Sequence, residues 1–497
     1  MRNVLIALTG AMVLGLGGCG GADDSEFGLV VIGSADDPFA TGMRLPLAGQ
    51  LVRAATTEGL VSFDEQGRVI PALADRWIVT DDGQSYIFRL RDGAWRNGDE
   101  ITSETAKAAL EATLTELRKT PLGLDLAGVD EIRVMAGRVI ELRLKRPMPY
   151  LLQLLAQPEL GLVHEKQGGG PMAMERQGSA ARLTPIDPAR LGMPEVSKWD
   201  ERTRQLRMTA LEGPEAVAQF NSGDIDMVLG GQIQDFPLTR TVGILRGTIQ
   251  LDPVSGLFGL RVVRDRGFLA VSENREALAM AIDREALIAP FGVGGWRPTT
   301  RIVAPDLAGD TGTIGERWTE QPLEERRSVA AARVRSWRLS QSPAGDAKKN
   351  SSRAIVSIWL PHGEGSAILF RQLARDFAAV GILARRAEAT ENADLRLVDD
   401  VARYPHATWY LNRLSCQAKR GLCLAAVDAR VKQAGSSPDA AERAALLTEA
   451  EVELTNANLY IPFGPPIRWS LVRGSVNGFE PNMWGWHPLM PLAWVPR

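Results

Sequence analysis

Short apolar runs broken by polar turn residues along 57–101 predict short strands: Trp77-Ile78-Val79, a turn at Asp82-Gly83, and a returning strand from Tyr86 to Leu90. Asp92-Gly93 and Asn97-Gly98 mark two further turns. From Thr102 the period changes. Ala106, Leu110 and Leu114 fall four apart, so a helix is predicted from Thr102 to Leu117. The same spacing returns in Glu273 to Ala289, through Leu278, Ile282 and Ala286, and a helix from Ser366 to Val380 ends at Gly381. Asp439-Ala440-Ala441-Glu442 reads as a capping box, with Leu447, Ala450 and Leu454 as the buried stripe of the helix it opens. Strands are predicted at Leu29 to Gly33, Ile355 to Leu360 and Leu395 to Val398, and Tyr460 to Pro466 is extended. The segment Gln341 to Arg353, rich in Ser, Ala and Lys, reads as a solvated loop. Strands and helices therefore alternate, which is an α/β pattern with crossovers. No internal repeat of fixed period is present.

The start of the chain follows a different pattern. Met1-Arg2-Asn3 is a short basic segment, and Val4 to Gly15 is apolar without a charge. That run is too short to span a bilayer, which takes about 20 residues, and fits a signal peptide over residues 1–18. Leu16-Gly17-Gly18-Cys19 resembles the lipobox of bacterial lipoproteins, in which the Cys is lipidated and becomes the new N-terminus. Residues 19–26 then read as a flexible tether. The expectation is an exported, extracytoplasmic (periplasmic) lipoprotein, held to a membrane through its lipid alone.

Composition narrows the class. At 497 residues the chain is long enough for two or three domains. Its 57 basic and 60 acidic side chains leave a net charge of −3, which argues against a nucleic-acid surface. An apolar fraction of 45% and a charged fraction of 24% exclude both low-complexity disorder and a polytopic membrane protein.

No G-x-S-x-G elbow, phosphate loop, H-E-x-x-H or C-x-x-C occurs, so no enzymatic chemistry finds a residue to rest on. The glycine clusters Gly168 to Gly170 and Gly292 to Gly295 lack the strand–turn–helix context of a phosphate loop and read as turns. The four His (His164, His362, His406 and His487) have no neighbours at ligand spacing, and no metal or cofactor is expected. In an oxidising compartment Cys416 and Cys423, with six residues between them, read as a local disulfide, since a metal site with His406 has too few ligands.

Thr57-Glu58-Gly59-Leu60-Val61, Val69-Ile70-Pro71-Ala72-Leu73-Ala74-Asp75-Arg76-Trp77, Asp81-Asp82-Gly83 and Tyr86-Ile87-Phe88-Arg89-Leu90-Arg91-Asp92-Gly93 follow one another in the order E-G-L, P-x-L-A-x-x-W, D-G-x-x-Y-x-F-x-L-R-x-G. The series resembles the family 5 extracellular solute-binding proteins, the peptide and nickel receptors of ABC importers. Gly169-Gly170-Pro171, Gly223-Asp224-Ile225-Asp226, Asn274 to Glu285, Leu373 to Ile382, Tyr460-Ile461-Pro462 and Val476-Asn477-Gly478-Phe479 resemble further elements of that family. The resemblance implies an α/β periplasmic-binding-protein fold of type II, cluster C-like, with two hinged lobes and an extra domain inserted in the first. The first lobe is placed at residues 27–53, 168–262 and 465–497, the inserted domain at 54–167 and the second lobe at 263–464. It also implies a monomer that performs no chemistry, captures a small peptide-like ligand between its lobes and delivers it to permease and ATPase subunits. A nickel chelate, haem, an opine or an oligosaccharide is the alternative ligand, and a non-transport sensor or chaperone the alternative role.

In peptide-binding relatives an acid in a W-x-A-D-Y-x-D-P type segment pairs with the ligand's α-amine. The matching stretch here, Ala402 to Leu411, puts Arg403 at the acid's place, followed by Tyr404 and Trp409. An Arg repels an ammonium and favours carboxylate or phosphate, so a blocked or anionic peptide-like ligand is expected. Asp399 and Asp400 are close enough that a shifted register restores an acid. Trp469, Trp484, Trp486 and Trp494 crowd the C-terminus, and Trp484 and Trp486, flanking Gly485, are the cleft candidates among them. Asp37 and Phe39, after the first strand, are further candidates.

Overall fold

The computed structural model describes residues 26–243, 247–305, 307–341 and 353–496. The signal peptide, Cys19, the tether through Ser25 and residues 342–352 of the solvated segment lie outside the described residues.

Two large sheets organise the chain. The first has seven strands, in the order Met172–Gln177, Ala180–Pro185, Gln205–Leu211, Glu26–Ile32, Met227–Gly231, Trp469–Val472, Ile249–Leu251. Glu26–Ile32 lies at its centre, parallel to both neighbours, and its Leu29, Val30 and Val31 are buried on both faces, as a parallel core strand requires. The second has five strands, in the order Ile382–Arg386, Ala354–Trp359, Leu395–Val401, Gly256–Val262, Tyr460–Gly464. Helices Ser272–Ala281, Leu323–Ser340 and Glu364–Ala379 accompany it. A third, antiparallel sheet of Ala74–Val79, Ser85–Leu90, Val139–Leu144 and Val129–Ala136 is built within residues 54–167.

The hairpin read around Asp82-Gly83 is present, with Trp77 opposite Phe88 and Val79 opposite Tyr86. Thr102 caps helix Ser103–Leu117 by accepting from the Thr105 N–H, and Thr105 returns the bond to the Thr102 backbone. Two helical expectations differ in detail. Residues 273–289 break at Ile282 and Asp283, where Ile282 turns extended and the Asp283 side chain caps a second short helix, Arg284–Ile288. Asp439 caps Ala440–Ala457 through the Ala441 N–H, but Glu442 accepts from the Ser437 hydroxyl instead of closing the box.

The chain passes between the two large sheets twice, at residues 252–255 and 465–468. The crossings run side by side, and the Asp252 N–H donates to the Arg468 carbonyl at 3.1 Å. Gly256–Val262, placed with the first lobe by the sequence, is a strand of the five-stranded sheet: Leu260 pairs with Leu397 and Ile461. The first crossing therefore precedes residue 256 instead of following 262. Apolar burial knits the parts together. One buried cluster joins Phe88, Leu110 and Leu142 of the 54–167 segment to Trp409, Leu447 and Leu454 of the helices that follow the strand Leu395–Val401.

Candidate functional site

A cavity of about 570 Å3 lies where the two large sheets and the 54–167 segment meet, a size suited to a small-molecule ligand. Its walls come from the carboxyl ends of Met227–Gly231 and Leu395–Val401, the loop Met43 to Leu47, both crossings, and the segment Trp484 to His487. Ligands of open α/β sheets gather at the carboxyl ends of strands, where side chains from successive loops converge.

The polar wall is an array of committed pairs. Arg403 donates from Nη1 to both carboxylate oxygens of Glu159, at 2.7 and 2.8 Å. Arg468 donates to Asp399 Oδ1 at 2.6 Å and to the Asp399 carbonyl at 2.9 Å. Asp400 is paired with Arg420. Asp252 accepts from the Asn482 N–H at 2.9 Å and faces His487 Nε2 at 3.2 Å. Three cations of the lining, Arg44, Arg413 and Lys419, have no carboxylate partner among the described residues.

The apolar wall is fixed from behind. Trp484 Nε1 donates to the Gly67 carbonyl at 2.8 Å, and its ring lies 6.2 Å from that of Phe63. Gly67 has φ +75°, and a Cβ there would stand 2.7 Å from Trp484 Cδ1, so the turn admits only glycine without moving the indole. Trp486 lines the cavity beside it, its N–H directed to Asn482 Oδ1.

Of the residues singled out from sequence, Arg403, Trp484 and Trp486 come together in this lining. Tyr404, Trp409, Asp37 and Phe39 do not reach it. Tyr404 is fully buried, stacked on Tyr150 with centroids 4.5 Å apart, and its hydroxyl donates to Asp125 Oδ1 at 2.7 Å. Trp409 is fully buried on helix Ala407–Arg413, edge-on to Tyr410. Asp37 turns back to accept from the Ser34 N–H, and Phe39 lies under the Arg176 guanidinium at 4.0 Å. Each is used up by local structure.

Asp125 also accepts from Asn412 Nδ2 at 2.7 Å, so it ties the 54–167 segment to helix Ala407–Arg413 behind the cavity. Burial pushes its carboxyl up to about 6 against the hydrogen bonds that favour the charged form. Nearby, burial and the cations of Arg146 and Arg443 pull His406 down to about 4.

Cys416 and Cys423 form a disulfide. The loop it closes carries Ala418, Lys419 and Arg420 into the lining, a role that spacing alone did not signal. Glu159, Asp252 and Arg468 were likewise missed, because their partners lie far away in sequence, and Arg413 because it pairs with no acid among the described residues. Asp99, His164 and Glu165 place one ligand-type atom each within 4.8 Å, away from the cavity. His164 Nε2 already faces Asp99 at 2.9 Å.

Residues 68–193 match the family described as bacterial extracellular solute-binding proteins, family 5, middle region. The probable deoxycholate-binding periplasmic protein YgiS of Escherichia coli is 25% identical over 85% of this chain and 84% of its own length. The oligopeptide-binding protein OppA of Bacillus subtilis is 21% identical over 63% of this chain and 64% of its own. Among solved structures, Haemophilus influenzae OppA, in complex with the peptide RPPGFSPFR, superposes with a TM-score of 0.76 at 18% identity, covering 96% of this chain and all of that one. NikA of Brucella suis, in complex with Fe(III)-EDTA, superposes with a TM-score of 0.72 at 18% identity, covering 95% and 100%. The two-lobed α/β fold is thus that of the periplasmic binding proteins. No helix among the described residues is long and apolar enough to cross a membrane.

Proposed function

We propose, from the match of residues 68–193 to the family 5 extracellular solute-binding proteins and from a fold like theirs, that the chain is the receptor of an ABC importer. It captures a peptide-like solute between its lobes and hands it to permease and ATPase subunits, performing no chemistry of its own. The observation that carries this reading is the cavity of about 570 Å3 at the carboxyl ends of strands from both sheets. Closure over a ligand buries it on all sides and gives the permease a form distinct from the empty receptor. The lobes we assign are the seven-stranded and five-stranded sheets with their helices, residues 54–167 forming the inserted domain.

We place the protein outside the cytoplasmic membrane, as a monomer anchored by lipid on Cys19. The apolar run Val4 to Gly15 and the small residues before Cys19 support this. Cys19→Ser should move the protein from the membrane to the soluble fraction; equal membrane retention would remove the anchor. A non-peptide amphiphile is the second reading, favoured by the relative named for deoxycholate, with which this chain aligns over 85% of its length.

Thermal unfolding of the chain from Gly20 onward, with pools of short peptides and with deoxycholate, tests the receptor role. A ligand bound only by native protein adds about 2.7 kcal/mol at a hundredfold excess over Kd, enough for a measurable rise in Tm. A rise with peptides supports the peptide class, and a rise with deoxycholate alone the second reading. No rise with either would sink the receptor role for both classes.

A further inference from the structure

The charge inventory of the cavity is one-sided. All four of its carboxylates, Glu159, Asp252, Asp399 and Asp400, already face a basic side chain of the protein. Asp399 Oδ2 accepts no hydrogen bond, but that atom is enclosed by protein and not open to the cavity, and burial pushes its carboxyl upward toward neutrality. An ammonium entering this cavity meets no uncommitted carboxylate.

Arg413 is the converse. It ends helix Ala407–Arg413 and stands over the Trp409 ring at 5.4 Å, which sets the plane of its approach. Its Nε is enclosed without an acceptor. Its Nη atoms make no hydrogen bond within the described protein and are not among the enclosed polar atoms, so they stay accessible in the lining. The nearest acids are spoken for, Asp400 by Arg420 and Asp125 by Tyr404 and Asn412. Lys419 lines the same cavity from the disulfide loop, and Arg403 uses only Nη1 on Glu159. Only the Nε is enclosed and left without an acceptor, and the accessible Nη pair is the edge of the guanidinium that a ligand can reach. A planar carboxylate is the group whose geometry fits it.

We infer that the cavity selects its ligand by an anionic carboxylate, seated on Arg413 and supported by Lys419, with the apolar body of the ligand against Trp484 and Trp486. The inference rests on the receptor reading and names the ligand chemistry within it. A peptide C-terminus and an acidic amphiphile both carry such a group, and only the experiment separates them.

Isothermal titration uses the chain from Gly20 onward and four probes: one apolar tripeptide with free termini, its N-acetyl form, its C-terminal amide, and deoxycholate. Acetylation should leave peptide affinity within a few-fold, and amidation should cut it at least tenfold. Arg413→Gln should cut affinity for the carboxylate probes at least tenfold and leave the amide unchanged. Lys419→Ala, on an exposed loop position, repeats the test with less risk to folding and should cost a few-fold. Deoxycholate binding without peptide binding assigns the carboxylate to an amphiphile and upholds the inference if Arg413→Gln abolishes it. The inference falls, and the receptor reading stands, if the amide binds as tightly as the free acid, or if both variants fold and bind carboxylate probes like wild type. Binding of no probe counts against the receptor reading and takes the inference with it.

Discussion

Arg403 and Glu159, 244 positions apart, meet through two hydrogen bonds donated by one nitrogen and join the strand end of the five-stranded sheet to the 54–167 segment at the cavity wall. Glu159 is nearly enclosed, its side chain 7% exposed, whereas that of Arg403 is 21% exposed. Arg403→Gln should therefore strand a buried charge and cost about 2–3 kcal/mol, somewhat under the usual loss for breaking a fully buried pair. A double-mutant cycle with Glu159→Gln, read by denaturant unfolding, should show coupling above about 1 kcal/mol. Simple additivity would mean that the pair contributes no net stability.

Asp125 gives a pH signature. Its folded value of about 6 lies above that of an ordinary carboxylate, so its protonated form is favoured by the fold. The stability it contributes is present below the ordinary carboxylate range and is lost as pH rises through 6. His406, pulled down to about 4, acts oppositely: its contribution is present above the ordinary imidazole value and is lost as pH falls through 4. The two partly cancel in wild type. The Tm difference between Asp125→Asn and wild type isolates the first, and should grow in favour of the variant from pH 4 to pH 7. A difference flat with pH would refute the assignment.

Reduction of Cys416–Cys423 should lower stability by about 2–3 kcal/mol on the loop-entropy model. Because that loop carries Lys419 and Arg420 into the cavity, ligand affinity should also fall, by several-fold. Titration of Cys416→Ser/Cys423→Ser against wild type, at a temperature where both are folded, reads the second effect apart from the first. Unchanged affinity would restrict the disulfide to stability.

Gly67→Ala should displace Trp484, since the added carbon lands on the indole and the backbone sits at φ +75°. We expect a loss of about 1–2 kcal/mol in stability from the strained conformation. Ligand affinity should fall by an amount comparable to that from Trp484→Ala, tenfold or more. Tryptophan fluorescence of the ligand titration follows both; wild-type affinity in Gly67→Ala would show that the position of the indole does not matter.

Legibility in the sequence followed the range of the interactions. The hairpin around Asp82-Gly83, the Thr102 cap and the Cys416–Cys423 disulfide depend on residues close together, and each stands where the spacing put it. Trp484 and Trp486 reached the cavity, but their supports, Gly67 and Asn482, carried no mark in the sequence. Tyr404 and Trp409 were misplaced for a physical reason. An aromatic next to a cleft residue satisfies the same apolar pattern whether it faces ligand or core, and the stacking partner Tyr150 that draws Tyr404 inward is 254 positions away. The crossing before Gly256 was missed because an apolar strand reads alike in either sheet.

The two crossings have a mechanical consequence. Each is only a few residues long, Pro253 stiffens one and Pro465-Pro466 the other, and the bond from Asp252 to Arg468 lashes them together. Two short, adjacent straps hold the strand ends of both sheets beside each other, so any parting of the sheets pivots where they cross, like a door on paired pins. The entrance to the cavity is then set by the position of those pins.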